Sequence, residues 1–197
     1  MSLRSFLSDL VVDRRILDTF LDIREPNWAV FDPELGYRLR SSCVRDGVDD
    51  SWSLARYESR GPRRMIHATG SPCRINTYGD SFTQCHQVSD GETWQEILAA
   101  HLGEPIRNYG IGGYGAYQAL LRLRTHEADP ETSAEYVILN IFDDDHYRSI
   151  DRWRWIRIRM FREEVRTTNP WYFHANPWSH LRFDPATGAF GEYPSLC

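Results

Sequence analysis

The feature that most constrains the fold of this chain is an alternation of strand and helix patterns between residues 74 and 142. Short apolar segments with strand character are separated by two segments whose apolar residues recur at helical spacing. This alternation predicts an α/β domain in which parallel strands are joined by right-handed helical crossovers. The predicted strands are 74–78, 105–109 and 136–142, and the predicted helices lie within 91–103 and 116–128.

Two details refine this prediction. Gly103 follows the last apolar position of the first helix, where a glycine commonly ends a helix. The run 136–142 (YVILNIF) is almost continuously apolar, which is typical of a strand that is buried on both faces of a sheet.

The first 73 residues have a different character. Residues 3–23 place apolar side chains near helical spacing until Pro26, which predicts an amphipathic helix. Residues 27–73 are rich in Gly, Pro, Ser, Arg and Asp, and we expect an irregular segment with one turn and a short strand at 31–40. We therefore divide the chain into an N-terminal helix with an irregular extension, 1–73, and an α/β domain, 74–197.

Composition excludes several classes of protein. The 197 residues carry a formal net charge of -5, whereas binding to nucleic acid or to an anionic membrane needs a basic face. No stretch reaches the roughly 18 apolar residues of a membrane span, and the N-terminus lacks a signal-peptide pattern, so we expect a cytoplasmic protein. The histidines and cysteines lack the paired spacings of metal sites, and we predict neither a metal nor a cofactor.

The segment Gly79-Asp80-Ser81 follows the first predicted strand of the α/β domain. Ligands bind at the carboxyl ends of parallel strands, and backbone N–H groups there can receive a developing negative charge. A serine at this position could act as a nucleophile if a base removes its proton. We expect Asp80 to support the turn through its carboxylate rather than to transfer protons.

A glycine-rich loop, 110–115 (GIGGYG), follows the second predicted strand and precedes a helix. It formally matches the dinucleotide fingerprint G-x-G-x-x-G, which would place a pyrophosphate at the helix N-terminus. However, the next acidic residue at a strand end is Asp143, well beyond the usual spacing of about 20 residues. Nucleotide binding through this loop is therefore the least favoured of three hypotheses, after a hydrolase and a binding protein without catalysis.

Three segments on successive strand ends resemble the conserved blocks of the SGNH/GDSL hydrolases, a family of serine esterases and acyltransferases. YGDSFTQC (78–85) resembles the first block, Asn108–Gly113 resembles the second, and YVILNIFDDDHYR (136–148) is similar to the third. The resemblance covers residues 74–148. It implies a three-layer α/β/α flavodoxin-like sheet and an acyl-enzyme mechanism acting on a carboxylic or acetyl ester of a small molecule, glycan or lipid.

Carried onto this sequence, the resemblance makes Ser81 the nucleophile and its own N–H one oxyanion donor. Gly113 would supply a second N–H. Asp144 stands where the family places an asparagine as the third donor, and a carboxylate can donate only when it is protonated. Three explanations stay open, namely a raised pKa of Asp144, a shifted alignment or a weakened site.

The resemblance ends before the general base, which the family carries in a late D-x-x-H motif after two further strands. The only such spacing here is Asp143…His146, inside the third block. We therefore expect a sheet that is incomplete at its C-terminal side, with an open edge that invites pairing with a second copy. A catalytically incomplete SGNH-like binding protein is accordingly the alternative to an active hydrolase.

Overall fold

The computed structural model describes residues 29–45, 47–150 and 179–195. The helix predicted at 3–23 lies outside these residues. Within the described ranges, no helix has the length and apolar character needed to cross a membrane. The strands are β1 (Ala29–Asp32), β2 (Gly36–Leu39), β3 (Ser42–Val44), β4 (Ser53–Ala55), β5 (Ile75–Tyr78), β6 (Ile106–Asn108), β7 (Tyr136–Leu139), β8 (His180–Asp184) and β9 (Ala189–Tyr193), and the α-helices are α1 (Ser81–Gln84), α2 (Trp94–Leu102), α3 (Ala116–Glu127) and α4 (Asp143–Ile150).

The three strands predicted between residues 74 and 142 form one parallel sheet, with β5 between β6 and β7. In its register Ile75 lies beside Ile106 on one side and Tyr136 on the other. The predicted mixed α/β fold with a parallel sheet is therefore confirmed. Because the strands run in the same direction, the segments that follow them meet at one edge of the sheet.

Side chains on opposite faces of β5 contact different helices. The Thr77 hydroxyl accepts a hydrogen bond of 3.2 Å from Gln95 of α2. On the other face, Asn76 and Tyr78 donate to the Glu127 carboxylate of α3 at 2.7 and 2.6 Å. The middle of the sheet thus tolerates buried polar side chains because each of them has a partner.

Helix α2 has a capping residue at each end, Thr93 before it and Gly103 after it. The Thr93 side chain accepts from the backbone N–H of Glu96 at 3.3 Å, which satisfies one of the free amides of the first turn. Gly103 ends the helix in the left-handed region at φ 70°, as predicted.

Residues 29–55 are more regular than predicted. β1 pairs with β2 and β3 pairs with β4, each pair as an antiparallel hairpin. The first hairpin shares a buried apolar cluster with the glycine-rich loop, formed by Ala29, Leu35, Tyr37, Ile111 and Tyr114. Strands this short depend on such tertiary packing, which local sequence patterns do not reveal.

The prediction that β7 is buried on both faces is wrong for the described part of the chain. Tyr136, Val137 and Ile138 are 52%, 42% and 39% exposed. Within the described ranges β7 pairs only with β5, so it is an edge strand of this sheet. The described helices therefore leave part of the apolar side chains of β7 exposed.

Helix α4 packs across the start of α3. The Ser149 hydroxyl accepts a hydrogen bond of 3.0 Å from the Tyr117 backbone N–H. A Cβ atom on Gly115 would lie only 2.7 Å from the Ser149 nitrogen, so the two helices meet here at backbone contact. The β8–β9 hairpin adds a hydrogen bond from the Tyr117 hydroxyl to Glu192 at 3.0 Å.

Candidate functional site

Ser81 is the first residue of α1 and lies three residues beyond the carboxyl end of β5. Its side chain is half-buried, whereas Asp80 before it is fully buried. One carboxylate oxygen of Asp80 accepts from the Phe82 backbone N–H at 2.9 Å and caps the helix. This contact confirms that Asp80 supports the turn.

Gly79 allows the chain to turn from β5 into α1. Its φ of 154° is rarely adopted by residues with a side chain. A Cβ atom here would lie 2.3 Å from the Thr83 hydroxyl and 2.8 Å from the Asn140 carbonyl oxygen. Gly79 therefore lies against Thr83 and the residue that follows β7, where any larger residue would collide.

The glycine-rich loop after β6 contacts the turn that carries Ser81. A Cβ atom on Gly112 would lie 3.6 Å from the Ser81 Cβ, which is ordinary van der Waals contact. The next residue, Gly113, has a φ of 86°, so its backbone occupies a region that favours glycine. Gly112 therefore lies close to Ser81, and Gly113 follows it in the chain.

Two side chains fasten this loop to α1. Asn108 accepts from the Gly110 N–H at 2.9 Å and donates to the Thr83 carbonyl at 2.8 Å. Gln84 accepts from the Gly112 N–H at 2.6 Å. The Gly112 N–H therefore already has an acceptor in α1.

Arg148 links the serine turn to α4. Its guanidinium lies 3.2 Å from the second carboxylate oxygen of Asp80, and it also contacts Asp144 and Asp145 at 2.8 Å each. The guanidinium is only 12% exposed, so solvent screens these pairs weakly. Asp144 is therefore joined to the residue before Ser81 through one shared cation.

Three carboxylates around one guanidinium leave the cluster with excess negative charge. Burial is the largest effect on Asp145, and the nearby charge of Asp80 adds to it, so that the pKa of Asp145 rises to about 6. The hydrogen bond from the Phe142 N–H and the charge of Arg148 act in the opposite direction. Asp145 therefore titrates close to neutral pH, beside the proposed active-site turn.

Arg63 supports the other end of α1, and sequence reasoning missed it. Its fully buried guanidinium pairs with Asp90 at 3.0 Å and donates to the carbonyls of Gln84 and Cys85 at 2.7 and 2.9 Å. These are the carbonyls that a helix C-terminus leaves without partners. The partners lie 21 to 27 residues away along the chain, so no local pattern signals the contact.

Ser81 has no hydrogen-bonded general base among the described residues. In the ranges 29–45, 47–150 and 179–195, no hydrogen bond joins its hydroxyl to a histidine or a carboxylate. His146 lies exposed on α4, three residues after Asp143. The roles of Ser81, Gly113 and Asp144 accordingly stay predictions.

The geometry of the glycine-rich loop disfavours a pyrophosphate site. The N–H groups of Gly110, Gly112 and Gly115 already donate to the side chains of Asn108, Gln84 and Gln118. Helix α4 also contacts the backbone at the start of α3, where a phosphate would need to bind.

Comparison with known proteins gives few matches. No protein-family profile and no curated protein matches the chain. Among solved structures, it is similar to the esterase AlinE4 of the SGNH-hydrolase family, with 22% identity and a TM-score of 0.35 over 51% of this chain and 57% of that one. A mutant of AlinE4 matches with the same identity and TM-score over 46% and 50%. The chain therefore spans about half the length of the solved structures that it matches.

Proposed function

We propose that this chain carries the nucleophile and oxyanion-binding part of a serine ester hydrolase of the SGNH type. The observation that supports this most is that Gly112, which precedes Gly113, lies close to Ser81 at the carboxyl edge of the parallel sheet. A nucleophilic hydroxyl and backbone amides at one point are what an acyl-transfer reaction requires. The helices on opposite faces of β5 support the three-layer flavodoxin-like fold that the resemblance implies.

In this proposal the Ser81 oxygen attacks the ester carbonyl carbon, and its proton passes to a general base. The carbonyl oxygen becomes an oxyanion that the N–H groups of Ser81 and Gly113 stabilise. Collapse of this intermediate breaks the bond to the alcohol, which leaves with the proton. Water or another hydroxyl then attacks the acyl-enzyme and regenerates Ser81.

The proposed part of Asp144 is electrostatic rather than that of a hydrogen-bond donor. Its carboxylate accepts from the Arg148 Nε at 2.8 Å. Arg148 also holds Asp80, so the pair would fix α4 against the serine turn. The sequence left three explanations for Asp144, namely a raised pKa, a shifted alignment or a weakened site. Its contact with Arg148 supports the third, a site that lacks a strong third oxyanion donor.

The test uses a fluorophosphonate probe, which forms a covalent bond to an activated serine. We expect the wild-type protein to gain one adduct at Ser81, read by intact mass and peptide mapping. Ser81→Ala should abolish the adduct, while Ser71→Ala, an exposed serine on a turn, should leave it unchanged. An adduct that persists in Ser81→Ala refutes the proposed nucleophile.

The second candidate is an SGNH-like binding protein without catalysis. It is favoured by the absence of a hydrogen-bonded base at Ser81 among the described residues. A protein of this kind would not react with the probe but would still bind an acylated ligand, for example an acetylated sugar, by calorimetry. The same two measurements therefore separate the hydrolase from the binding protein.

A further inference from the structure

We propose that Tyr37 is a positioning residue for the oxyanion-binding amide of Gly113. Tyr37 lies in β2, in the N-terminal segment where the sequence carries no chemical motif. Its hydroxyl donates a hydrogen bond of 2.6 Å to the Gly112 carbonyl oxygen, across 75 residues of sequence. This inference rests on the proposed function, because it assigns a task to the same amide.

The contact determines where the Gly113 N–H points. The chain has no cis peptide bonds in its described part, and in a trans peptide the C=O and the following N–H point in opposite directions. With the Gly112 oxygen held by Tyr37, the Gly113 N–H must point away from the Tyr37 hydroxyl. Gln84 fixes the preceding peptide through the Gly112 N–H, so the two peptide planes that flank Gly112 are both anchored.

This anchoring is needed because the loop is rich in glycine. A glycine with a φ of 86°, such as Gly113, has access to backbone conformations that other residues do not, and a rotated peptide would turn its N–H away from an oxyanion. Gly112 beside it also lacks a side chain that would restrict its backbone. A hydrogen bond from a rigid donor to the Gly112 carbonyl therefore restricts the orientation of the peptide that carries the Gly113 N–H.

Tyr37 is a rigid donor. It is only 1% exposed, and its ring packs edge-to-face against Tyr114 with centroids 5.3 Å apart. The Tyr114 hydroxyl in turn donates to the Tyr37 carbonyl oxygen at 2.5 Å. The N-terminal hairpin and the glycine-rich loop are thus joined by two tyrosine–carbonyl bonds running in opposite directions.

These paired bonds provide a matched control. Tyr37→Phe and Tyr114→Phe each remove one buried hydroxyl and one hydrogen bond to a carbonyl, and both keep the aromatic pair. Only Tyr37→Phe releases the Gly112–Gly113 peptide. A role limited to folding therefore predicts the same result for both variants, whereas positioning predicts different results.

The experiment compares both variants with wild type by two measurements. The first is the rate constant for phosphonylation of Ser81. Complete loss of one oxyanion donor costs about a hundredfold to a thousandfold in rate, and we expect a tenfold to hundredfold loss in Tyr37→Phe because the amide is misplaced for part of the time. In Tyr114→Phe the rate should stay within about threefold of wild type.

The second measurement does not depend on catalysis. In protein labelled with ¹⁵N-glycine, the Gly113 amide resonance should shift or broaden in Tyr37→Phe and change much less in Tyr114→Phe. If wild type does not react with the probe, the proposed function fails and the NMR comparison alone decides the positioning role. Equal Gly113 shifts in the two variants would overturn it, and so would equal phosphonylation rates of the two variants when wild type reacts.

Discussion

Replacing Gly110 by alanine would press a methyl group into the helix that carries Ser81. A Cβ atom at Gly110 would lie 2.4 Å from the Gln84 nitrogen and 2.6 Å from the Thr83 carbonyl carbon. Favourable contacts between such atoms begin at about 3.5 Å, so the loop or the helix must move by roughly 1 Å. Overpacking of this kind costs about 1 to 3 kcal/mol, and we expect the upper part of that range because both atoms belong to the main chain.

The matched control is Gly91→Ala. A Cβ atom at Gly91 meets no atom within 4 Å, so this variant should be as stable as wild type or slightly more so. Unfolding by urea and by heat, followed by tryptophan fluorescence, gives the free energies of unfolding. For a chain of this length, 2 to 3 kcal/mol lowers Tm by about 4 to 12 °C. If Gly110→Ala and Gly91→Ala are equally stable, the loop does not pack on α1 as described.

Three further variants test the buried charges. Arg63→Met should cost about 3 to 5 kcal/mol in urea because it leaves Asp90 buried without its partner, whereas Arg60→Met, which loses only exposed ion pairs, should cost less than about 1 kcal/mol. The pKa of Asp145 is raised to about 6, so its stabilising contribution is full below about pH 4 and is lost as pH rises through 6. In Asp145→Asn the plot of Tm against pH should therefore be flatter over this range, by a difference in unfolding free energy of about 2 to 3 kcal/mol. Burial, followed by nearby positive charge, lowers the pKa of His126 to about 4. The contribution of neutral His126 to folding stability is therefore present above pH 6.5 and is lost as pH falls towards 4. Measured as Tm against pH, His126→Phe should lose less stability than wild type over that range, by up to about 2 kcal/mol.

The parts of the site that follow from short-range pattern were predictable from the sequence. The strand before Gly79, the parallel sheet and the helix end at Gly103 each follow from residues within a few positions of one another. The capping role of Asp80 was also predictable, because an aspartate before a helix commonly accepts from a backbone N–H two residues on.

The contacts that hold the site together were not predictable in this way. Arg63, Gln84 and Tyr37 act on partners 21 to 75 residues distant, and a single sequence gives no local signal for such pairs. The prediction that β7 is buried on both faces was wrong for a related reason. The apolar run 136–142 specifies a strand, but which elements cover a strand depends on the whole fold.

The central claim is that the Ser81 oxygen and the Gly113 amide act on one substrate carbonyl. The most direct test is a crystal structure of the protein after reaction with a fluorophosphonate. We predict a phosphonyl group on Ser81 with its free oxygen about 2.7 to 3.1 Å from the backbone nitrogens of Ser81 and Gly113. A phosphonyl oxygen that points away from the Gly113 nitrogen, or an adduct on another residue, would contradict it.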